Sequence, residues 1–167
     1  AINPKYIDKI RNAYDNSILY TDHVIAELIE TLEQMPDVCS AMYYCADHGE
    51  DLMDGQDRRF LHSTPTTTYY QLHVASFAWF SPIYHKAFAD KVKAAKRNGG
   101  APATSYSVFH TMADIASISS NYIDTKASLV SSNFDYSIPR YYLDDHNCAV
   151  PLDAQIGIDA MQRELFR

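Results

Sequence analysis

The feature that most constrains the fold is a short apolar run that ends abruptly in charged residues. The run Met42–Cys45 shows no alternation of apolar and polar residues. Such a run predicts a strand, over Val38 to Ala46, that is covered on both faces as in α/β proteins. Asp47-His48-Gly49 follows at its carboxyl end. Ligands of α/β sheets bind beyond the carboxyl ends of strands, so this tripeptide is the first candidate site.

Amphipathic segments on either side of this strand predict helices. Apolar residues recur every three or four positions in the first part of the chain, which predicts one long helix over Pro4 to Gln34 with Asn3 as N-cap. The other predicted elements are a loop over Glu50 to Thr68, a strand over Leu72 to Phe80, helices over Pro82 to Arg97 and Ser105 to Ile118, and edge strands or loops at Ser128 to Ser132 and Arg140 to Leu143. Strands separated by helices predict an α/β fold with a mixed or parallel sheet and helices on both faces.

Composition describes an acidic globular protein. The chain has 167 residues, 47% of them hydrophobic, and a formal net charge of -7. Because there is no excess of Lys and Arg to neutralise phosphates, no nucleic-acid partner is expected. Cys39 and Cys45 fall on one extended strand and are too far apart to form a disulfide with each other. Whether Cys148 pairs with either of them stays open.

Asp47 and His48 are predicted to be metal ligands. A carboxylate beside an imidazole suits Zn²⁺, and also Mn²⁺ or Fe²⁺. Neighbouring side chains on a regular strand point to opposite faces, so these two converge only if the chain turns after the strand. Gly49 is expected to permit that turn because glycine tolerates torsions that other residues avoid. The simpler alternative is an Asp helix cap followed by a surface histidine.

His62 is the second candidate, 14 residues after His48 on a polar loop. A loop histidine that returns to a strand-end site can bind a metal or a substrate phosphate, although a plain surface histidine is the alternative. Glu50 and Asp51 are interpreted as solvated, with a role left open for Glu50 in orienting His48. The sequence contains no Gly-rich phosphate loop, no Gly-x-Ser-x-Gly elbow and no Cys-x-x-Cys pair.

Five segments, taken in order, resemble one family. They are Asn12–Asp22, Ala46–Glu50, Leu61-His62, His73–Ser81 and Ser107–Met112. Together they resemble the bacterial phosphoethanolamine transferases of the alkaline-phosphatase and sulfatase superfamily, from about residue 10 to residue 118. The resemblance implies an alkaline-phosphatase-like α/β/α sandwich. Residues 1–167 would form the C-terminal portion of its catalytic domain.

The resemblance also implies an activity. Such an enzyme is zinc-dependent and works at the periplasmic face of the bacterial inner membrane. It moves phosphoethanolamine from a phospholipid donor, phosphatidylethanolamine, to a glycolipid acceptor such as lipid A, through a phosphothreonine-type intermediate. Asp47 and His48 match the family's metal ligands, and His62 matches a histidine beside the metal and the substrate phosphate, which implies a catalytic role.

The family's nucleophilic threonine, a glutamate ligand, a further histidine and the membrane anchor precede the helix motif. They are therefore expected upstream of residue 1 of this sequence. The chain would supply part of the active site, would be inactive alone, and could form a homodimer over surface that the rest of the domain covers.

Two departures and two alternatives remain. Ser63 stands where the family often has glycine, and Ala75 where it often has proline, which leaves substrate details open. A sulfatase or phosphoglycerol transferase of the same superfamily would share the Asp-His pair. An upstream Cys-x-Pro-x-Arg would favour the sulfatase, whereas Tyr14-Asp15-Asn16 favours the first interpretation. The alternative from another class is a noncatalytic binding domain on the same scaffold.

Overall fold

Helices and short strands alternate along the chain. A computed structural model describes residues 3–54, 59–62, 67–143 and 146–152, so Ser63 lies outside the described residues. In order, the elements are a 3₁₀ turn at Pro4–Tyr6, α1 Ile7–Glu33, β1 Ala41–Cys45, β2 Asp51–Leu52, β3 Phe60–Leu61, α2 Tyr69–Leu72, β4 Ser76–Phe80, α3 Pro82–Ala87, α4 Ala89–Asn98, α5 Tyr106–Ile115, a 3₁₀ turn at Thr125–Ala127, β5 Tyr141–Leu143 and β6 Ala149–Pro151.

The long predicted helix is confirmed, with a 3₁₀ turn at its start. The Oδ1 atom of Asn3 accepts a hydrogen bond from the backbone N–H of Lys5 at 3.1 Å, which begins that turn. No residue of α1 is buried. Ile18 and Leu28 are each 52% exposed. The apolar stripe of α1 is therefore only partly covered by the described part of the chain.

β1 and β4 form an antiparallel ribbon. Ala41 lies opposite Phe80, and Cys45 lies opposite Ser76. The sequence predicted a mixed or parallel sheet, and a parallel pairing is wrong for β1 and β4. Parallel neighbours need a crossover that returns the chain to the starting end of the first strand. Here the start of β4 lies beside the carboxyl end of β1, where Cys45 pairs with Ser76. The residues of β1 are all partly exposed, so two-sided cover is also wrong for the described residues.

Several predicted element bounds are corrected. The predicted strand over Leu72 to Phe80 begins only at Ser76, because Tyr69–Leu72 forms the helical turn α2. The predicted helix over Pro82 to Arg97 is two helices that meet at Phe88, where φ is -128° and ψ is 45°. At this break the Phe88 ring lies 4.8 Å from the Tyr84 ring. Ser105 occupies the N-cap of α5 but makes no side-chain capping bond.

The core lies between α4, α5 and the irregular segment that follows them. Its buried apolar residues include Val92, Ala94, Ala113, Ala127, Val130 and Phe134. Asn98, 1% exposed, donates from Nδ2 to the carbonyl oxygens of Leu129 and Ser131, at 3.0 Å each. Thr111 Oγ1 accepts from the backbone N–H of Leu129 at 3.0 Å. Side chains thus satisfy the backbone groups of residues 128–132, which form turns instead of an edge strand.

The remaining predictions concern the C-terminal strand and the cysteines. Of the two possibilities left open for Arg140 to Leu143, the strand is confirmed. Tyr141–Leu143 pairs with Ala149–Pro151 in antiparallel. Three cysteines are free thiols, namely Cys39, Cys45 and Cys148. Cys148 therefore pairs with neither of the other two.

Replacing Tyr84 with Phe is expected to destabilise the core. Tyr84 is 3% exposed and its hydroxyl donates to the carbonyl oxygen of Ile115 at 2.8 Å. Tyr84→Phe should lower the free energy of unfolding by about 1 kcal/mol, because Ile115 loses its partner. Urea unfolding measures this. Tyr122→Phe, at a site 84% exposed, is the control and should change nothing. Equal changes in the free energy of unfolding in the two variants would show that the hydrogen bond from Tyr84 to Ile115 does not stabilise the core.

The same hydroxyl gives a pH dependence. Burial, followed by the nearby Asp114 carboxylate, raises the pKa of Tyr84 from 10.0 to about 12. Because the folded-state pKa is the higher one, its stabilisation is complete below pH 10 and is lost as the pH rises towards 12. The stability difference between wild type and Tyr84→Phe should therefore shrink over this range.

Candidate functional site

The chain turns sharply where β1 ends. The backbone N–H of Ala46 makes the last ladder bond, to the carbonyl oxygen of Ala75 at 3.0 Å. Asp47 Oδ1 then accepts from the backbone N–H of His48 at 3.0 Å. Two residues on, the N–H of Gly49 donates to the carbonyl oxygen of Gln71 at 2.9 Å. The segment that carries the predicted metal ligands is thereby attached to α2.

Gly49 is needed at this turn because of a close backbone approach. A Cβ atom there would lie 2.0 Å from the carbonyl oxygen of Tyr70 and 3.2 Å from that of His73. The φ angle of Gly49 lies outside the left-handed region, so the expectation that it supplies unusual torsions is wrong. What glycine provides is the absence of a side chain, which lets α2 lie directly against the site.

His48 presents its Nε2 atom towards Asp47. Its Nδ1 lies 3.1 Å from the carbonyl oxygen of Gly49. Since a carbonyl only accepts, Nδ1 carries a proton, and in the neutral imidazole Nε2 is then the unprotonated nitrogen. Nε2 lies 3.8 Å from Asp47 Oδ2, on a carboxylate that is 89% exposed. The hydrogen bond from the backbone N–H of His48 is the main factor lowering the pKa of Asp47, followed by its own backbone N–H and by His48.

His62 is brought back to the end of β1 by the β2–β3 hairpin. Asp51 pairs with Leu61 in antiparallel, and His62 follows directly. Its ring centroid lies 3.8 Å from that of His48, with the planes 30° apart. Its Nδ1 lies 2.7 Å from Glu50 Oε1. Asp47, His48 and His62, the candidate residues found from the sequence, therefore lie in one cluster.

Glu50 and Asp51 are not solvated, which corrects the sequence-based interpretation. The Glu50 side chain is 15% exposed, and its Oε1 lies 3.8 Å from His48 Nδ1. Asp51 is 0% exposed, and its Oδ1 accepts from the backbone N–H groups of Met53 and Asp54. The two-residue strands that bury them are too short to leave a periodic pattern in the sequence. The available signal for Glu50 was its place directly after Asp-His-Gly, where a carboxylate can support a metal ligand.

The residue types gathered at the site suit a divalent metal ion. His48, Glu50 and His62 each offer a ligand atom, and these atoms lie within 4.8 Å of one another. Zinc binds nitrogen and oxygen at roughly 2.0–2.2 Å, so two ligands of one ion lie at most about 4.3 Å apart. The 3.8 Å between His48 Nε2 and Asp47 Oδ2 satisfies this limit. Within the described residues, Glu50 Oε2 is buried without a hydrogen-bond partner, and a bound cation would compensate for this by coordinating the oxygen.

Comparisons with known proteins agree with this picture. The family model described as Sulfatase matches residues 3–118. The phosphoethanolamine transferase EptA of Salmonella typhimurium (strain LT2) is 28% identical over 119 residues, which cover 69% of this chain and 21% of that protein. The Kdo(2)-lipid A phosphoethanolamine 7''-transferase of Escherichia coli (strain K12) is 37% identical over 75 residues, covering 44% of this chain and 12% of that protein. The chain thus spans about a fifth, or less, of these relatives.

Solved structures show the fold. The C-terminal periplasmic domain of EcEptC from Escherichia coli, in complex with Zn, is 22% identical with a TM-score of 0.74, covering 94% of this chain and 44% of that domain. The corresponding domain of EptC from Campylobacter jejuni is 24% identical with a TM-score of 0.67, covering 77% of this chain and 40% of that domain. The predicted α/β class, a partial alkaline-phosphatase-like sandwich, is confirmed. No helix in the described ranges combines the length and apolarity needed to cross a membrane.

Replacing Gly49 with Ala is expected to disturb the site. The added Cβ would overlap the Tyr70 carbonyl oxygen at 2.0 Å, so either the turn or α2 has to move. Such overpacking costs typically about 1–3 kcal/mol. Gly49→Ala should lower stability by that amount in urea unfolding and shift the imidazole NMR signals of His48 and His62. In Gly100→Ala, the matched control, the new Cβ meets nothing within 4 Å. Unchanged imidazole signals in Gly49→Ala would show that the close approach does not hold the site.

Proposed function

Because this chain belongs to the sulfatase family, we propose that it is the C-terminal portion of the catalytic domain of a phosphoethanolamine transferase. The donor would be phosphatidylethanolamine, and the acceptor a cell-envelope glycolipid such as lipid A. The observation that carries the proposal is the cluster itself, where the His48 and His62 rings lie 3.8 Å apart beside Asp47 and Glu50. The transferase names of the relatives at 28% and 37% identity support this choice over a sulfatase or a noncatalytic domain.

Asp47 and His48 are the proposed metal ligands. Hydrogen bonds from backbone N–H groups and the adjacent His48 lower the pKa of Asp47 and favour its carboxylate form. The Gly49 carbonyl holds the proton of His48 on Nδ1, so that Nε2 is available as a ligand. A cluster with two imidazoles suits Zn²⁺ better than Mn²⁺, which prefers oxygen ligands. When bound, zinc would supply Lewis-acid polarisation of a phosphoryl oxygen.

His62 is the proposed catalytic residue of this part of the site. Its side chain is 47% exposed, so a substrate can reach the ring. A histidine in this position can exchange a proton with an attacking or leaving oxygen, or donate a hydrogen bond to the transferring phosphoryl group. Its stacking against His48 places that exchange beside the proposed metal ligands.

The remaining parts of the active site are proposed to come from the rest of the domain. A catalytic zinc site uses about three protein ligands and one open position, and Asp47 and His48 supply two. The resemblance assigns the nucleophilic threonine, another ligand and the membrane anchor to segments before residue 1, which would place the enzyme at the periplasmic face of the inner membrane. The apolar stripe of α1 would pack against those segments. In the isolated chain, the same stripe could support a homodimer.

The proposed ligands are tested by zinc titration and a transfer assay on the complete domain. Asp47→Asn and His48→Ala should each weaken zinc binding by at least about 100-fold, since even supporting residues of zinc sites are worth 10–100-fold. Both should abolish transfer of phosphoethanolamine to lipid A, followed by mass spectrometry with phosphatidylethanolamine vesicles as donor. Asp135→Asn is the control, because hydrogen bonds from Ser137 also lower the pKa of Asp135. Wild-type zinc affinity in Asp47→Asn would remove Asp47 from the ligand set.

The 167-residue chain by itself is expected to bind zinc weakly and to catalyse no transfer. Calorimetric zinc titration of this chain, beside an assay with a generic aryl phosphodiester, measures both properties. Tight 1:1 binding that is lost in Asp47→Ala, together with metal-dependent turnover, would show that a complete site resides in this chain. The division of the active site proposed above would then be wrong.

A further inference from the structure

We propose that Glu50 is a positioning residue that holds the proton of His62 on Nδ1 and thereby leaves Nε2 unprotonated. The hydrogen bond between Glu50 Oε1 and His62 Nδ1, at 2.7 Å, is the observation behind this inference. This inference deepens the proposed function. It rests on that function only for the identity of the substrate on which His62 acts. The tautomer itself is a property of the chain that can be measured without substrate or metal.

The register of the hairpin places these two residues opposite each other. Asp51 pairs with Leu61 in antiparallel, so the next positions outward, Glu50 and His62, face each other across the ribbon. Asp51 is 0% exposed, and the carbonyl oxygen of Leu61 accepts from Gln71 Nε2 at 2.7 Å. Both neighbours of the pair are therefore anchored, and the contact between Glu50 and His62 does not depend on two freely moving surface side chains.

The chemistry of the two groups decides which of them carries the shared proton. The Glu50 side chain is 15% exposed, while that of His62 is 47% exposed. A carboxylate is acceptor-only, so the shared proton belongs to the imidazole nitrogen that faces it, which is Nδ1. The opposite nitrogen, Nε2, is then the one with a free lone pair. In this form it can take a proton from a substrate oxygen or bind a cation.

His48 and His62 have the same tautomer but donate to different kinds of acceptor. His48 donates from Nδ1 to a backbone carbonyl, that of Gly49, at 3.1 Å. His62 donates from Nδ1 to a side-chain carboxylate. Because the partner of His62 is a side chain, its tautomer can be changed by one substitution, whereas that of His48 cannot. Histidines whose tautomer is set in this way by a carboxylate or carbonyl recur at metal and catalytic sites.

The test is the tautomer of His62 in the 167-residue chain. Long-range ¹H–¹⁵N spectra of chain labelled with ¹⁵N-histidine, recorded in excess chelator at a pH where the imidazoles are neutral, show which ring nitrogen carries hydrogen. Wild type should show His62 as the Nδ1–H form. Glu50→Ala removes the acceptor and should convert His62 mainly to the Nε2–H form, which a free histidine side chain favours in water.

Glu27→Ala is the matched control. Glu27 lies 3.5 Å from His23 on the exposed face of α1, so removing it deletes a carboxylate beside a histidine at a distance from the site. The His62 signals should not change. An Nε2–H form of His62 in wild type would overturn the inference, as would an unchanged tautomer in a folded Glu50→Ala variant. If Glu50→Ala does not fold, the wild-type spectrum decides.

Failure of this inference and failure of the proposed function are distinguishable. If His62 is the Nδ1–H form but the complete domain binds no zinc through Asp47 and His48, the inference stands and the proposed function fails. If zinc binding depends on these ligands but His62 is the Nε2–H form, the reverse is true.

Discussion

The site depends on the hydrogen bonds of one buried glutamine. Gln71, 5% exposed, accepts from the backbone N–H of Thr68 at 3.0 Å and donates to the carbonyl oxygen of Leu61 at 2.7 Å through its side chain. Its backbone carbonyl accepts from the N–H of Gly49 at 2.9 Å. One residue thereby joins α2 to both arms of the site. Because buried polar groups are costly to leave unpaired, breaking any one of these hydrogen bonds would destabilise the site.

The close approach at Gly49 and the bonds of Gln71 act together. The missing Cβ of Gly49 allows the carbonyl oxygen of Tyr70 to lie against the turn. That contact brings Gln71 within reach of the Gly49 N–H, and the side chain of Gln71 then extends to Leu61, next to His62. The two histidine rings meet because each is adjacent in sequence to a backbone group that the same short helix binds.

The site and the best-packed region lie in different parts of the molecule. Asn98, Thr111 and the apolar side chains between α4 and α5 form a well-satisfied core. By contrast, β1 is only partly covered and α1 has no buried residue. The strand that leads into Asp47 and His48 thus has apolar surface that the described residues leave partly exposed. This is consistent with a site that is shared between this chain and the rest of a larger catalytic domain.

The sequence by itself determined the class of fold, the long first helix and the residues of the candidate site. A continuous apolar strand ending in Asp47-His48 is a local pattern, and a local pattern can be read directly. His62 was recognisable because its Leu-His segment follows that motif at a typical interval in the family it resembles. These features are encoded by residue type and spacing within one element or one loop.

Only the tertiary structure decided how these parts meet. The antiparallel direction of β4 depends on where the intervening segment travels, which no periodicity records. The two-residue strands that bury Asp51 and place Glu50 opposite His62 are too short to show a pattern. The role of Gly49 comes from the nearby Tyr70 carbonyl, more than 20 residues away in sequence, and not from its own torsions. In each case the deciding interaction joins residues distant in sequence, and its energy exists only once the chain has folded.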